Sequence, residues 1–347
     1  MSQQDQGNLS NILRKLGIFI AIGVCLHILF VLYTTDKELL NIVKTLHFSY
    51  VALIMVLMVI PWVGYALRIW FWSKFLGESI RLDECLKIVV TAEVASALSP
   101  TAVGGAPVKA ALLLNKGFKA KNVGFLLSYG VIEDIIFYAM GFILATYFSE
   151  SLVSKVLNFL NHFLTTNFKI IITILGLILL YFILKRYRRL PKFLKIGNFM
   201  PKAYYTRYYK FRTKLTSNIS EIKSTFRLAI IHGKWRMLFS FTVLLIQWFS
   251  KFSVLLVLLH AFGIDFDVIQ TYIRQWFIYI TMLFIPTPGA SGGAEASFLL
   301  IFGQSIPSKL SYLIVSMWRF FTYYYVLISA LTIYLLISYR FQRESKR

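Results

Sequence analysis

A chain of 347 residues that is 58% hydrophobic and only 15% charged, with a mean hydropathy of +0.67, lies outside the soluble range, where about 25% of residues are charged. Its formal charge of +22 would suit nucleic acid, but the basic residues collect between apolar blocks, as they do around membrane spans, so no nucleic-acid partner is expected. Two cysteines, Cys25 inside the first apolar block and Cys85 in a basic-flanked loop, exclude a disulfide framework.

The N-terminal stretch Met1–Asn11 is polar. The first apolar run, about Leu16–Tyr33, follows Arg14 and Lys15 and lacks a small-residue cleavage site, so it reads as a retained span with a cytoplasmic N-terminus. A second span, about Phe48–Trp72, returns to a basic loop with Lys74, Arg81 and Lys87. An apolar stretch over Ile88–Leu98 then meets the break Ser99-Pro100-Thr101-Ala102-Val103-Gly104-Gly105-Ala106-Pro107, and helix resumes to about Leu114 before Lys116, Lys119 and Lys121. Each arm is shorter than the ~20 residues a span needs. Both flanks are basic, which predicts a re-entrant hairpin entering from the cytoplasmic side.

Full spans follow at Val123–Phe148, carrying Glu133 and Asp134 near its centre, and at Phe168–Leu184. The segment 185–236 holds fifteen Lys and Arg against the single Glu221, with Tyr204, Tyr205, Tyr208 and Tyr209 interleaved. It reads equally as an amphipathic element on anionic lipid and as a loop that only sets topology. Met237–Ala261 spans outward, and Val268–Ile285 leads into a second break, Pro286-Thr287-Pro288-Gly289-Ala290-Ser291-Gly292-Gly293-Ala294-Glu295. Short helix reaches Phe302, and a last span, about Leu310–Ile337, ends among Arg340, Arg343, Lys346 and Arg347, which places the C-terminus inside.

The two breaks stand in similar surroundings. A shift of 186 residues lays Trp62 on Trp248, Gly77 on Gly263, Pro100 on Pro286 and Thr101 on Thr287. After two extra residues, Gly104-Gly105-Ala106 meets Gly292-Gly293-Ala294. The leading spans run in opposite directions, so the units, about 48–148 and 237–339, are expected to be inverted repeats. Broken backbone in hydrocarbon leaves polar groups unpaired and persists only where protein or water covers it. Two facing breaks therefore imply a polar chamber near the midplane. The expected fold is an all-α polytopic membrane protein with six full spans and two re-entrant broken-helix hairpins.

Helix N-termini after each break offer bare N–H donors to phosphate or carboxylate. Pro107 suits the first turn of one short helix. Lys109, two residues later, is either a second anion-binding charge or an interface lysine whose stem snorkels. Glu295 opens the other short helix, where it could simply oppose the dipole, yet an intramembrane carboxylate costs ~2.5–3.5 kcal/mol and points to pairing or transport. Glu133, Asp134, Arg68, Lys251 and Arg319 also fall within spans. The repeat alignment sets Arg319 near Glu133 and Asp134, as a partner across the pseudo-twofold axis or as half of a structural ion pair. Glu93 is a weaker candidate of the same kind, and Arg274 marks an outer interface. The histidines at 27, 47, 162, 232 and 260 show no metal-ligand spacing, and no P-loop, dinucleotide fingerprint or nucleophile elbow occurs. No cofactor and no catalytic chemistry are expected.

Ser99–Glu133 resembles the G-x-P-V-[RK]-A…E segment of the lysylphosphatidylglycerol synthase transmembrane family, also called flippase-like domain proteins. Pro286–Glu295 resembles its P-G-G…E segment, and Trp318-Arg319 its late aromatic-Arg pair; the likeness covers about 15–340. The resemblance implies translocation of lipids with charged or glycosylated head groups across the bacterial cytoplasmic membrane, carried by Pro107, Lys109, Glu133, Pro288, Gly292, Glu295 and Arg319. This sequence departs from the family pattern in having Glu133-Asp134 followed by apolar residues, and in the two extra residues of its second break. Fused members continue into an aminoacyl-transferase domain, as in multiple peptide resistance factors. Arg347 follows the last span closely, so lysyl transfer by this chain is not expected. The expected partner is a membrane phospholipid or glycolipid of anionic character, with a second copy or a separate lipid-modifying enzyme beside it. The rival readings are an integral-membrane enzyme acting on a polyprenyl-phosphate or lipid-linked sugar, and a non-catalytic scaffold docked through 185–236.

Overall fold

Long apolar blocks without β-branched alternation or internal turns can satisfy their backbone in lipid only as helices, and helices are the regular elements among the described residues. A computed structural model describes residues 46–99, 104–148 and 220–333, except 283, 284, 286 and 288, together with single positions 154 and 176. The expected spans at Leu16–Tyr33 and Phe168–Leu184, the chain termini, and Pro100, Pro286 and Pro288 of the breaks lie outside the described residues.

The elements are α1 (Phe48–Phe75), α2 (Leu82–Leu98), α3 (Gly105–Asn115), α4 (Ala120–Phe148), α5 (Lys234–Ala261), α6 (Val268–Met282), α7 (Gly293–Phe302) and α8 (Ser308–Arg319). A helix also runs over 220–232. A π-helical turn, Phe320–Tyr325, continues α8, and the combined helix reaches Ile333. Among the described residues four helices are long and apolar enough to cross a bilayer: α1, α4, α5 and Ser308–Ile333. In α4 the buried positions Tyr129, Glu133, Phe137, Gly141 and Ala145 recur every four residues, which stacks them on one face. Val131, Ile135, Ile136 and Ile143 are exposed on the others. An outside more apolar than the inside is the pattern lipid requires and water forbids.

The element ends repeat at constant offsets. Phe48 and Lys234 open α1 and α5, Phe75 and Ala261 close them, and Leu82 and Val268 open α2 and α6, each pair 186 residues apart. Gly105 and Gly293, then Ala120 and Ser308, begin the following helices 188 apart, so the two extra residues fall in the second break. The corners match too. Gly77 (φ 71°) and Gly263 (φ 63°) each follow a long helix in the left-handed conformation. Beyond them the N–H groups of Glu78 and Ile264 donate to the carbonyls of Ser73 (2.9 Å) and Leu259 (3.0 Å). These are Schellman closures, for which glycine carries no Cβ penalty.

The core of the assembly is the contact between α1 and α5. Pro61 lies inside α1 and lacks the N–H that would bond the carbonyl four residues back. The Ser250 hydroxyl of α5 donates to that Leu57 carbonyl, and Gln247 Nε2 donates to the Pro61 carbonyl at 2.6 Å. A neighbouring helix thus resatisfies the backbone that proline frees. α2 packs against α3 and α6 against α7, so each break joins two adjoining helices. At the first break the Ser99 hydroxyl accepts the Gly104 N–H at 2.7 Å. A Cβ on Gly105 would stand 2.5 Å from Ser96 Oγ and 2.9 Å from the Ala92 carbonyl, so only glycine lets α3 approach α2 this closely.

The basic 185–236 segment is described only at its end. There Phe226 and Ala229 of the 220–232 helix pack into an aromatic group with Trp72, Phe125 and Tyr129, leaving Lys223 and Arg227 exposed. This part is anchored on α1 and α4 as well as facing outward.

Candidate functional site

A cavity of about 410 Å³ opens between α1, α2, α3 and α4, beside the first break. Ionisable groups from all four helices line it: Arg68 from α1, Glu93 from α2, Lys109 from α3, and Glu133 and Asp134 from α4. Tyr65, Trp72 and Tyr129 supply aromatic walls, and Gly105 sits at its edge.

Arg68 and Glu133 form an ion pair whose side chains are only 6% and 2% exposed. The guanidinium has each nitrogen committed: one to Glu133, Nε to Ser240 Oγ at 3.2 Å, and the last to Gln247 Oε1 at 3.2 Å. Tyr129 and Ser240 hydroxyls flank the Glu133 carboxylate. Asp134, the next residue, accepts the Trp248 indole N–H at 3.3 Å. The Lys109 ammonium lies 5.0 Å from the centre of the Tyr65 ring, and among the described residues no carboxylate is within ion-pair distance of it.

A second group of charges sits at the second break. Gly289 (φ 60°), Ala290 (φ 55°) and Gly292 (φ 81°) adopt left-handed conformations, which turn the chain sharply before α7. Arg319, at the end of α8, reaches back over this turn. Its Nε lies 3.0 Å from Glu295 Oε1, it donates to the Gly289 carbonyl, and its Ser291 Oγ contact is 3.5 Å. The Tyr323 ring, one π-turn later, stacks on the guanidinium at 4.4 Å, and the Tyr323 hydroxyl donates to the Ala97 carbonyl at 2.9 Å. Tyr323 therefore ties the second break to the end of α2, beside the first.

The structure brings Gly105, Lys109, Glu133 and Asp134 together at one cavity. Gly104 does not line it but donates its N–H to Ser99 in the first break, and Pro107 is exposed outside it. Gly292, Gly293, Glu295 and Arg319 assemble at the other break, while Pro288 lies outside the described residues. The expected pairing of Arg319 with Glu133 and Asp134 does not form. Glu133 belongs to Arg68 and Arg319 to Glu295. Each pair closes within its own half, because α8 packs on α7 and its terminal guanidinium faces the turn preceding α7. Sequence reasoning passed over Tyr65, Ser240, Gln247 and Tyr323. The signal for Tyr65 was its place at i, i+3, i+7 with Arg68 and Trp72 on one helix face. That for Gln247 was an amide inside a span. Among the described residues no group of three or more His, Cys, Asp or Glu could hold a metal ion.

Long apolar helices that enclose a charged cavity beside a helix break define a multi-pass helical membrane protein with a buried polar site. The chain belongs to the lysylphosphatidylglycerol synthase transmembrane-region family, whose model matches residues 16–330. A UPF0104 membrane protein of Archaeoglobus fulgidus is 27% identical over 316 residues, spanning 89% of this chain and 92% of that protein. Membership agrees with a lipid-related membrane function.

Proposed function

We propose that the chain moves a phospholipid or glycolipid with a charged or glycosylated head group between the leaflets of a membrane. The observation that carries this reading is the cavity itself. Five ionisable side chains converge there, each costing ~2.5–3.5 kcal/mol inside a bilayer. A buried ion pair contributes little or nothing to stability over an apolar substitute, so this concentration of charge is better explained by a polar guest. The volume of about 410 Å³ is at the low end for ligand sites, which suits a head group whose acyl chains stay in lipid.

In this reading the chain has six full spans, with α2–α3 and α6–α7 as re-entrant hairpins entering from opposite sides. The halves 48–148 and 237–339 are inverted repeats. The constant offsets support this, and so does the contact between Pro61 and Gln247, which are equivalent positions 186 apart. Equivalent residues touch where a pseudo-twofold axis passes between them. Both termini are cytoplasmic, in a bacterial cytoplasmic membrane. The protein works without cofactor or bond-making step, and a second copy or a separate lipid-modifying enzyme is its natural partner.

Leaflet exchange in proteoliposomes tests the proposal. Fluorescent anionic, zwitterionic and polyprenyl-linked lipids are placed in one leaflet and quenched from outside, for the native chain and for Glu133→Gln and Glu295→Gln. Head-group-selective exchange that both variants lose supports translocation. Absence of exchange for every lipid by folded protein removes it and leaves the membrane-enzyme and scaffold readings.

A further inference from the structure

The cavity sorts its charges into spent and unspent ones. Arg68 is spent, since all three of its nitrogens are engaged by Glu133, Ser240 and Gln247. Glu133 is neutralised by Arg68 through one oxygen, while its Oε1 is buried with no hydrogen-bond partner among the described residues. Three ionisable groups remain: Lys109 on α3, Glu93 on α2, and Asp134, which shares α4 with Glu133. Among the described residues Lys109 meets only the Tyr65 ring, Asp134 meets only the neutral Trp248 N–H, and neither acid has a cation within 4 Å. Arg68, and more weakly Lys251, act on the Asp134 charge without pairing to it; the Lys251 ammonium lies over the Trp248 ring at 5.2 Å and does not line the cavity. Lys109 stands across the space from Glu93 and Asp134, yet among the described residues it forms a salt bridge with neither.

One unspent cation facing two unspent anions across a cavity suits a guest that is anionic at one end and cationic at the other. We propose that the site selects a zwitterionic head group, with a phosphate diester seated on Lys109 and a single ammonium, a few bonds away, held between Asp134 and Glu93. Resting on the lipid-translocation reading for its setting, this inference replaces the lipid of anionic character expected above. A phosphatidylglycerol-type head group satisfies Lys109 but leaves both carboxylates unmatched in low dielectric. The zwitterion gives Lys109 a phosphate and the two carboxylates one shared ammonium, and it brings no net charge into the membrane interior, where charge transfer is most costly.

The experiment uses the full chain in detergent with two water-soluble probes, dihexanoyl phosphatidylethanolamine and dihexanoyl phosphatidylglycerol. Binding is read from tryptophan fluorescence, since Trp72 lines the cavity and Trp248 bonds Asp134. The ethanolamine lipid is expected to bind at least about tenfold more tightly, the scale of one charge-assisted hydrogen bond. Asp134→Asn and Glu93→Gln should each reduce that preference several-fold while leaving phosphatidylglycerol binding nearly constant, and Lys109→Gln should weaken both probes about equally. Equal or tighter binding of phosphatidylglycerol by the native chain overturns the inference, as does a preference untouched in both carboxylate variants, or no binding of either probe. Selective binding without leaflet exchange in proteoliposomes would leave this inference standing and remove translocation. Exchange that favours phosphatidylglycerol would do the reverse.

Discussion

Removing one member of the Arg68–Glu133 pair should damage the protein more than removing both. Arg68→Met deletes three hydrogen bonds and strands the Glu133 carboxylate, 2% exposed, with only hydroxyl neighbours. Breaking a buried pair in this way costs about 3–5 kcal/mol. Glu133→Gln leaves a guanidinium that still holds Ser240 and Gln247, so its cost should lie nearer the lower figure. In Arg68→Met/Glu133→Gln no bare charge remains and the loss should fall to about 1–2 kcal/mol, giving a coupling of several kcal/mol. At roughly 2–4 °C per kcal/mol for chains of this order, each single variant should unfold about 6–20 °C below the native protein, with the double variant recovering most of that gap. Near-UV circular dichroism during heating of the detergent-purified protein reads the midpoints. Additive shifts, with the double variant the least stable of the three, would refute the reasoning. Leaflet exchange should be lost in all three, which separates the site's role from its stability.

The corner glycines offer a symmetric test: Gly77→Ala and Gly263→Ala meet nothing within 4 Å, so each should lose only the left-handed strain of about 1–2 kcal/mol, seen as similar small drops in midpoint. Arg319→Lys keeps the charge but loses the fork that reaches both Glu295 and the Gly289 carbonyl, so leaflet exchange should fall about tenfold or more with a midpoint drop of only a few degrees. At the N-terminal end of α2, the Lys116 ammonium (2.5 Å) and the Arg81 N–H (3.2 Å) hold the Glu84 carboxyl below the usual carboxylate range. A depressed carboxyl stabilises the fold above its ordinary pKa of about 4.3 and loses that contribution as pH falls toward its folded value. The pair is partly solvated, so the effect is at most about 1 kcal/mol. Between pH 5 and pH 3.5 the midpoint should fall slightly more in native protein than in Lys116→Gln.

That lipid would be the solvent of this chain was legible in its residues alone. Runs such as Phe48–Phe75 and Lys234–Ala261 are helical because lipid gives their backbone no other partner, and that local rule can be read residue by residue. The breaks were legible for the same reason, since Gly104-Gly105 and Gly289–Gly293 interrupt helix chemistry wherever they occur. The 186-residue echo, with its two extra residues, appeared as identities before it appeared as matching helix ends. Which charge meets which was a tertiary decision. Arg68 finds Glu133 across 65 residues, Ser240 across 172 and Gln247 across 179. Those contacts exist only because α1 packs on α5 and α4 turns its buried face toward α1. A one-dimensional alignment could set Arg319 near Glu133 but could not know the rotation of each helix about its axis. The choice between partners rests on that rotation, because a side chain facing another direction meets lipid, where no charge can be satisfied.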